Sequence, residues 1–178
     1  MHKILLLTLT LAALPLGAAE IYSFSLLPTD GNIAGTPGST VGWGYSLTNQ
    51  SSTYWLVTSG LSAGSFQNAT PNLIFDFPDL APGATVTIPF NAATAAGLYE
   101  LTWSSSAPLN FTNTGTFVLS AQWWNGNPLG NGAFVTNAPN ASQAYAATVT
   151  PEPATGGTIG LCLLALPFAF NYRKGNSI

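Results

Sequence analysis

The amino-acid sequence predicts an all-β protein, a Greek-key β-sandwich of about 7–9 strands. Short segments alternate apolar and polar residues with a period of two, and they are rich in aromatic and β-branched side chains. Clusters of Gly, Pro, Asn and Ser separate these segments about every 8–12 residues. Because the chain between its two ends shows no long helical period, an antiparallel sandwich is favoured over a parallel sheet.

The predicted strands are the segments in which this alternation is clearest. One face of segment 40–48 holds four apolar side chains, Val41, Trp43, Tyr45 and Leu47, as expected for a strand that covers a core. In chain order, the predicted strands are 21–27, 40–48, 54–58, 72–77, 84–90, 97–103, 115–124, 132–136 and 143–149.

The size and composition of the chain indicate one folded domain. Of its 178 residues, 47% are hydrophobic and 12% are aromatic, so the chain has enough apolar surface to bury. Once two terminal signals are set aside, roughly 130 residues remain, which suits a single domain core. The one cysteine, Cys162, lies outside this region, so packing alone must stabilise the domain.

The charge of the middle of the chain excludes two classes of partner. Residues 20–150 contain five acidic side chains and no Lys, Arg or His, which gives this segment a charge of −5. Nucleic acids and anionic lipids are bound mainly through Lys and Arg, so neither is an expected partner. The acidic residues are Glu20, Asp30, Asp76, Asp79 and Glu100.

Residues 1–19 are interpreted as a signal peptide for export by the Sec route. His2 and Lys3 form a short basic start, and an apolar run follows. Gly17 and Ala19 then supply the small residues that signal peptidase requires before its cut. A retained N-terminal anchor is the alternative, but the apolar run is short for a membrane span of about 20 residues.

Residues 149–178 contain three features in order, a Pro-Glu-Pro motif, a hydrophobic helix and a basic pair. In that order the residues are Pro151, Glu152 and Pro153, then 158–172, then Arg173 and Lys174. The helix is predicted to be a single transmembrane span, with the basic pair on the cytoplasmic side. Proline holds the motif extended, which is the form that proteases and transpeptidases bind.

This order of features resembles the PEP-CTERM sorting tail that exosortase enzymes process. The resemblance implies that a membrane-embedded cysteine transpeptidase removes the tail near residues 151–153. It also implies transient anchoring in the inner membrane, followed by a location at the cell surface or outside the cell, in an exopolysaccharide or biofilm matrix. An uncut C-terminal membrane anchor is the alternative interpretation.

The segment between the two ends, residues 20–148, is assigned to a folded ectodomain. A turn at 36–40 leads into an alternating strand, a second turn at 80–84 precedes another, and 96–101 is typical of a late strand with a core tyrosine. These segments resemble the Ig-like ectodomains found above PEP-CTERM tails, which implies an Ig-like order of strands. The Cys-Trp-Cys core of antibody domains is absent.

The sequence predicts no catalytic residue, no cofactor and no metal site. A serine nucleophile needs a nearby His or Lys, and transition-metal sites need His or Cys, but residues 20–150 contain none of these. Asp76, Asp79 and Glu100 leave a remote alternative, a carboxylate-based glycan hydrolase. A Ca²⁺ site at Asp76 and Asp79 is a second alternative. The competing interpretation is that both carboxylates are solvated where the chain turns at Pro78.

Trp123 and Trp124 are the most suggestive binding residues. Adjacent residues on a strand point to opposite faces, so one tryptophan is expected in the core and the other at the surface. An exposed tryptophan framed by Asn and Gln suits a sugar ring. The expected function is a structural or adhesive surface protein with exosortase, signal peptidase and extracellular polysaccharide as partners, and a carbohydrate-binding module is the alternative.

Overall fold

The computed structural model of the chain describes residues 21–152. Their strands form two sheets that enclose one core, without a helix, which confirms the predicted all-β fold and is consistent with a sandwich. No helix long and apolar enough to cross a membrane occurs in this part of the chain. The predicted signal peptide and the predicted helix 158–172 lie outside the described residues, as do Gly17, Ala19, Pro153, Arg173 and Lys174.

Eleven strands follow one another along the described residues, and eight of the nine predicted segments coincide with one. The ninth segment, 72–77, overlaps a strand only at its first two residues. The strands are β1 (Tyr22–Leu27), β2 (Asn32–Gly35), β3 (Thr40–Asn49), β4 (Trp55–Ser62), β5 (Ala69–Leu73), β6 (Asp79–Leu80), β7 (Thr85–Ile88), β8 (Tyr99–Trp103), β9 (Thr112–Asn125), β10 (Ala133–Asn137) and β11 (Ala141–Val149).

The first sheet is centred on β3. The strand β1 pairs along one side of β3, while β7 and β8 pair one after the other along its opposite side. The strand β5 pairs with β8 and forms the edge of this sheet. All of these pairs are antiparallel.

The second sheet is centred on β9. The strand β4 pairs along one side of β9, while β11 and β10 pair one after the other along its opposite side. The strand β2 extends the sheet beyond β11 in a parallel pair, and β6 extends it beyond β4. The number of strands exceeds the predicted range because two short strands, β2 and β6, are not predicted.

One hydrophobic core lies between the two sheets. Trp43, Tyr45 and Leu47 of β3 are fully buried and Val41 is partly buried, which confirms the predicted inward face of this strand. From the second sheet, Phe117 packs edge to face on Trp43, with ring centroids 5.1 Å apart. Full burial of each such side chain contributes about 1.5–3 kcal/mol, so packing stabilises a domain that has no cysteine.

The segment 74–78 crosses from the first sheet to the second, where the sequence predicts a strand. Phe75 is buried and packs against Tyr45, with ring centroids 4.8 Å apart. Phe77 has a φ of 50°, a conformation that is uncommon for a bulky residue and foreign to a strand. The predicted strand over 72–77 is therefore wrong beyond its first two residues, because the apolar alternation there belongs to a loop that covers the edge of the core.

Candidate functional site

Three neighbouring strands of the second sheet place aromatic side chains beside one another. In the register, Trp55 of β4 lies opposite Trp124 of β9, which in turn lies opposite Phe134 of β10. Their neighbours Leu56 and Trp123 are buried, so the alternation of side chains directs Trp55 and Trp124 away from the core. We call Trp55, Trp124 and Phe134 the aromatic row.

Contacts within the sheet hold the central tryptophan of this row in place. The rings of Trp124 and Phe134 meet edge to face, with centroids 6.4 Å apart and an angle of 81° between their planes. The indole Nε1 of Trp124 donates a hydrogen bond of 3.1 Å to Oε1 of Gln122. Phe134 is 52% exposed, and Trp55 and Trp124 are partly exposed. The row therefore presents aromatic surface to solvent in a fixed arrangement.

The turn between β9 and β10 brings Phe134 beside Trp124. Asn127 organises this turn, because its backbone carbonyl accepts hydrogen bonds from the N–H groups of Gly130 and Gly132, at 3.0 and 2.9 Å. Its side-chain Oδ1 also accepts a hydrogen bond of 2.9 Å from the N–H of Leu129. An Asn-Gly-rich turn of this kind is what the local sequence favours. It leaves the Leu129 side chain 90% exposed at the tip.

A row of polar side chains lies beside the aromatic row, two residues away along β4 and β9 and three along β10, where the register shifts. Val57 of β4 lies opposite Gln122 of β9, and this pair is flanked by Asp79 of β6 and Asn137 of β10. Asp79 and Asn137 are exposed, and Gln122 is partly exposed. Partial burial raises the pKa of the Asp79 carboxyl above its ordinary value. We call Asp79, Gln122 and Asn137 the polar row.

Of the two adjacent tryptophans, only Trp124 is available to a ligand. Trp123 is 3% exposed and packs edge to face on Tyr22, with ring centroids 6.1 Å apart. The hydroxyl of Tyr22 donates a hydrogen bond of 2.8 Å to the carbonyl of Pro139, which fixes that contact. The expected division of the pair is confirmed, with Trp123 in the core and Trp124 at the surface.

The three candidate carboxylates lie in different surroundings. Asp76 is exposed and accepts a hydrogen bond from the hydroxyl of the buried Tyr45. Burial, and next the hydrogen bond and charge of Asp76, raise the pKa of the Tyr45 hydroxyl. Asp79 lies on β6 of the second sheet, whereas Glu100 lies on β8 of the first, opposite Gly42 and Asn72. Within residues 21–152, no three acidic, His or Cys side chains gather into a group suited to a metal ion.

The predicted sorting motif begins just after β11. Pro151 and Glu152 are exposed, and the preceding Thr150 donates its N–H to the carbonyl of Gly35 at 2.9 Å. A separate half-open cleft of about 120 Å³ lies at the opposite end of β11 and contains no acidic or basic side chain. Its lining residues are Ile21, Tyr22, Pro139, Asn140 and Ala141.

The sequence alone does not identify two residues of the aromatic row as partners of Trp124. Both Trp55 and Phe134 fall in predicted strands, but their partnership with Trp124 depends on strand register, which alternation alone does not fix. One available signal is the Asn- and Gly-rich turn between segments 115–124 and 132–136, which indicates a hairpin and would pair Phe134 with the end of β9. No comparable signal indicates that β4 pairs with β9, because these two strands lie far apart in the sequence.

No protein-family model, curated protein or solved structure matches this chain.

Proposed function

We propose that this chain is an exported adhesive protein of the cell surface or extracellular matrix, and that its ectodomain binds polysaccharide through the aromatic row. The observation that supports binding is the exposed row of Trp55, Trp124 and Phe134 beside a polar row of amide and carboxylate side chains. Sugar rings have apolar faces and hydroxyl rims, so stacked aromatics with polar groups alongside complement both parts.

The position of the aromatic row suits display away from the C-terminal tail. Thr112 of β9 pairs with Thr148 near the end of β11, so the last described residues lie at this end of the sandwich. Trp124 is twelve residues further along β9 (112 to 124), a distance of roughly 40 Å for an extended strand. A protein held by its tail would therefore present the row at its far end.

For the two chain ends we propose the processing that the sequence motifs imply. Signal peptidase would cut after Ala19, and exosortase would process the tail near Pro151, Glu152 and Pro153 after transient anchoring through helix 158–172. The exposure of Pro151 and Glu152 beyond the last strand supports access by a processing enzyme. A mature protein whose mass still includes residues 158–178 would contradict exosortase processing and favour an uncut anchor.

We also propose an Ig-like order of strands. The first sheet has the order β1-β3-β8-β5, and in the second sheet β4 and β11 flank β9. These correspond to the A-B-E-D and C-F-G sheets of Ig-like sandwiches when β7 and β8 together take the place of strand E. An experimental structure with another strand order would overturn this assignment.

The ectodomain is proposed to act without catalysis. A general base other than a carboxylate is absent from residues 20–150, and Asp79 and Glu100 lie on different sheets. Incubation of the protein with soluble glycans should release no reducing ends. Release that disappears in the Asp76→Asn or Asp79→Asn variant would instead establish a carboxylate-based hydrolase.

Binding is tested by sedimentation of the mature exported protein with insoluble polysaccharides. Trp124→Ala should lose most of the bound fraction, because truncation of one stacked aromatic weakens binding about tenfold. Leu109→Ala is the matched control, since Leu109 is 52% exposed near the opposite end of the domain, beside Asn110, whose N–H bonds the carbonyl of Val149. Equal binding by the Trp124→Ala variant and the wild-type protein would refute the aromatic row as the site.

A further inference from the structure

The charge around the aromatic row restricts the class of glycan. Residues 20–150 contain no Lys, Arg or His, so the ectodomain has no side chain that could pair with a carboxylate, sulfate or phosphate. At one end of the polar row, Asp79 adds a negative charge on the same face of the sheet. An anionic polysaccharide placed here would lose hydration without gaining an ion pair, and it would be repelled by Asp79.

The hydrogen-bonding groups beside the aromatic row suit hydroxyls. Because Oε1 of Gln122 already accepts from the Trp124 indole, its amide Nε2 is left to donate. The Asp79 carboxylate accepts only, whereas the exposed Asn137 amide both donates and accepts. A sugar hydroxyl both donates and accepts, so it can satisfy each of these groups without bringing a charge.

The length of the aromatic row indicates more than one sugar ring. Trp55, Trp124 and Phe134 lie on three adjacent strands, so the row crosses two strand spacings, or about 10 Å. Its three aromatic surfaces run across the strands rather than along one of them. This arrangement suits consecutive rings of an extended chain better than a single monosaccharide.

We propose that the aromatic and polar rows form a site selective for an uncharged polysaccharide of flat pyranose rings, whose chain lies across β4, β9 and β10. This inference rests on the proposed polysaccharide binding and adds the class of ligand and its direction. Rings whose hydroxyls are mostly equatorial fit best, because they leave apolar C–H faces for Trp124 and its neighbours while the hydroxyl rim faces the polar row.

Selectivity is tested with two probes, microcrystalline cellulose and immobilised alginate, in the same buffer with a chelator that removes bridging cations. The mature exported protein should bind cellulose at least tenfold more than alginate. Cellulose binding should change little with ionic strength, because no ion pair contributes to it. Binding to alginate equal to or stronger than binding to cellulose would overturn the inference but leave glycan binding intact, whereas binding to neither would refute the proposed function itself.

The role of Asp79 is tested with Asp79→Asn. This variant should bind alginate several-fold more than the wild type, because a repulsive charge is removed while hydrogen bonding is kept. Glu100→Gln makes the same change in net charge on the other sheet and is the matched control. Equal gains in the two variants would show that total charge, not the site, excludes anionic glycans, and no gain in either would show that Asp79 does not contribute.

The direction of the chain is tested with soluble cello-oligosaccharides of increasing length. Affinity should rise with length until the oligosaccharide covers all three aromatics, at about three rings for a row of about 10 Å. Trp55→Ala and Phe134→Ala should each make the rise end at a shorter oligosaccharide, because each removes one end of the row. A single-ring sugar that binds as tightly as the longer ones, in the wild type and both variants, would overturn the extended site.

Discussion

At the scale of single residues, the most constrained polar side chain is Asn49 at the end of β3. It is fully buried, and its Nδ2 lies 2.8–3.0 Å from the backbone carbonyls of Tyr54, Leu80 and Ala81. Its Oδ1 accepts a hydrogen bond of 3.0 Å from the N–H of Ser51. The side-chain amide of Asn49 therefore forms hydrogen bonds with backbone groups of the turn after β3 and of the end of β6. It thereby connects the first sheet to the second.

Asn49→Ala should lower the free energy of unfolding by about 2–3 kcal/mol, because it leaves several buried backbone groups without a partner. Asn140→Ala is the matched control, since Asn140 is exposed and should change stability by less than about 0.5 kcal/mol. Urea denaturation of both variants measures the difference. Comparable losses in the two would contradict the role assigned to the buried amide.

The residues of the candidate site differ in how far sequence alone could place them. The alternation of a strand is enough to separate Trp123 from Trp124, because it is a local property of the backbone. It is not enough to give Asn49 a structural role or Trp55 a binding role. Both depend on which distant segments lie alongside, and strand pairing over long separations leaves little trace in one sequence.

At the scale of elements, the segment between β7 and β8 leaves the first sheet and folds over the outer face of β3. It returns through mutual backbone hydrogen bonds between Asn91 and Ala96, at 2.8 and 3.1 Å. Where it crosses β3, the strand has glycines. A Cβ on Gly42 would overlap the ring of Phe90, and one on Gly44 would lie 2.5–2.8 Å from the backbone of residues 88–90.

Gly44→Ala should therefore destabilise the domain by about 1–3 kcal/mol, because the new methyl group meets backbone that cannot move aside as a side chain can. Gly60→Ala on β4 is the control, since its Cβ would meet only Ser120 at an ordinary 3.8 Å. There the smaller entropy of the unfolded chain should leave stability unchanged or raised by about 0.5 kcal/mol. Thermal unfolding of the two variants should separate them, and equal midpoints would be evidence against close packing over Gly44.

Length and edge position explain which strands the sequence predicts. Long strands such as β3 and β9 have enough positions for alternation to show, whereas β2 has four residues and β6 two, and neither is predicted. The strand β5 contains Pro71, which argues against a strand in the sequence. The structure accommodates this proline because β5 is an edge strand, where the missing N–H has no partner to lose.

At the scale of the whole molecule, the absence of basic side chains from residues 20–150 leaves tyrosine as the side chain of this segment that titrates in alkali. Residues 20–150 contain no Lys, whose pKa would otherwise overlap that of tyrosine near 10. Burial raises the pKa of the hydroxyls of Tyr22, Tyr45 and Tyr145 above their ordinary value. In the unfolded chain these hydroxyls ionise at the ordinary pKa, so the two states bind different numbers of protons in alkali.

The sign of this difference predicts unfolding at high pH. Because the pKa is raised in the folded state, the tyrosines contribute stability that is fully present below the ordinary tyrosine pKa and is lost as the pH rises through the folded value. The free energy of unfolding measured with urea should therefore be level at about pH 8 and fall from about pH 10 upward, because the unfolded chain releases up to three more protons than the folded protein. Tyr45→Phe should reduce that difference by about one proton, since phenylalanine has no proton to lose. A free energy of unfolding that stays level through about pH 11, while phenolate absorbance shows the three tyrosines ionising in the folded protein, would mean that their hydroxyls are not held neutral by burial.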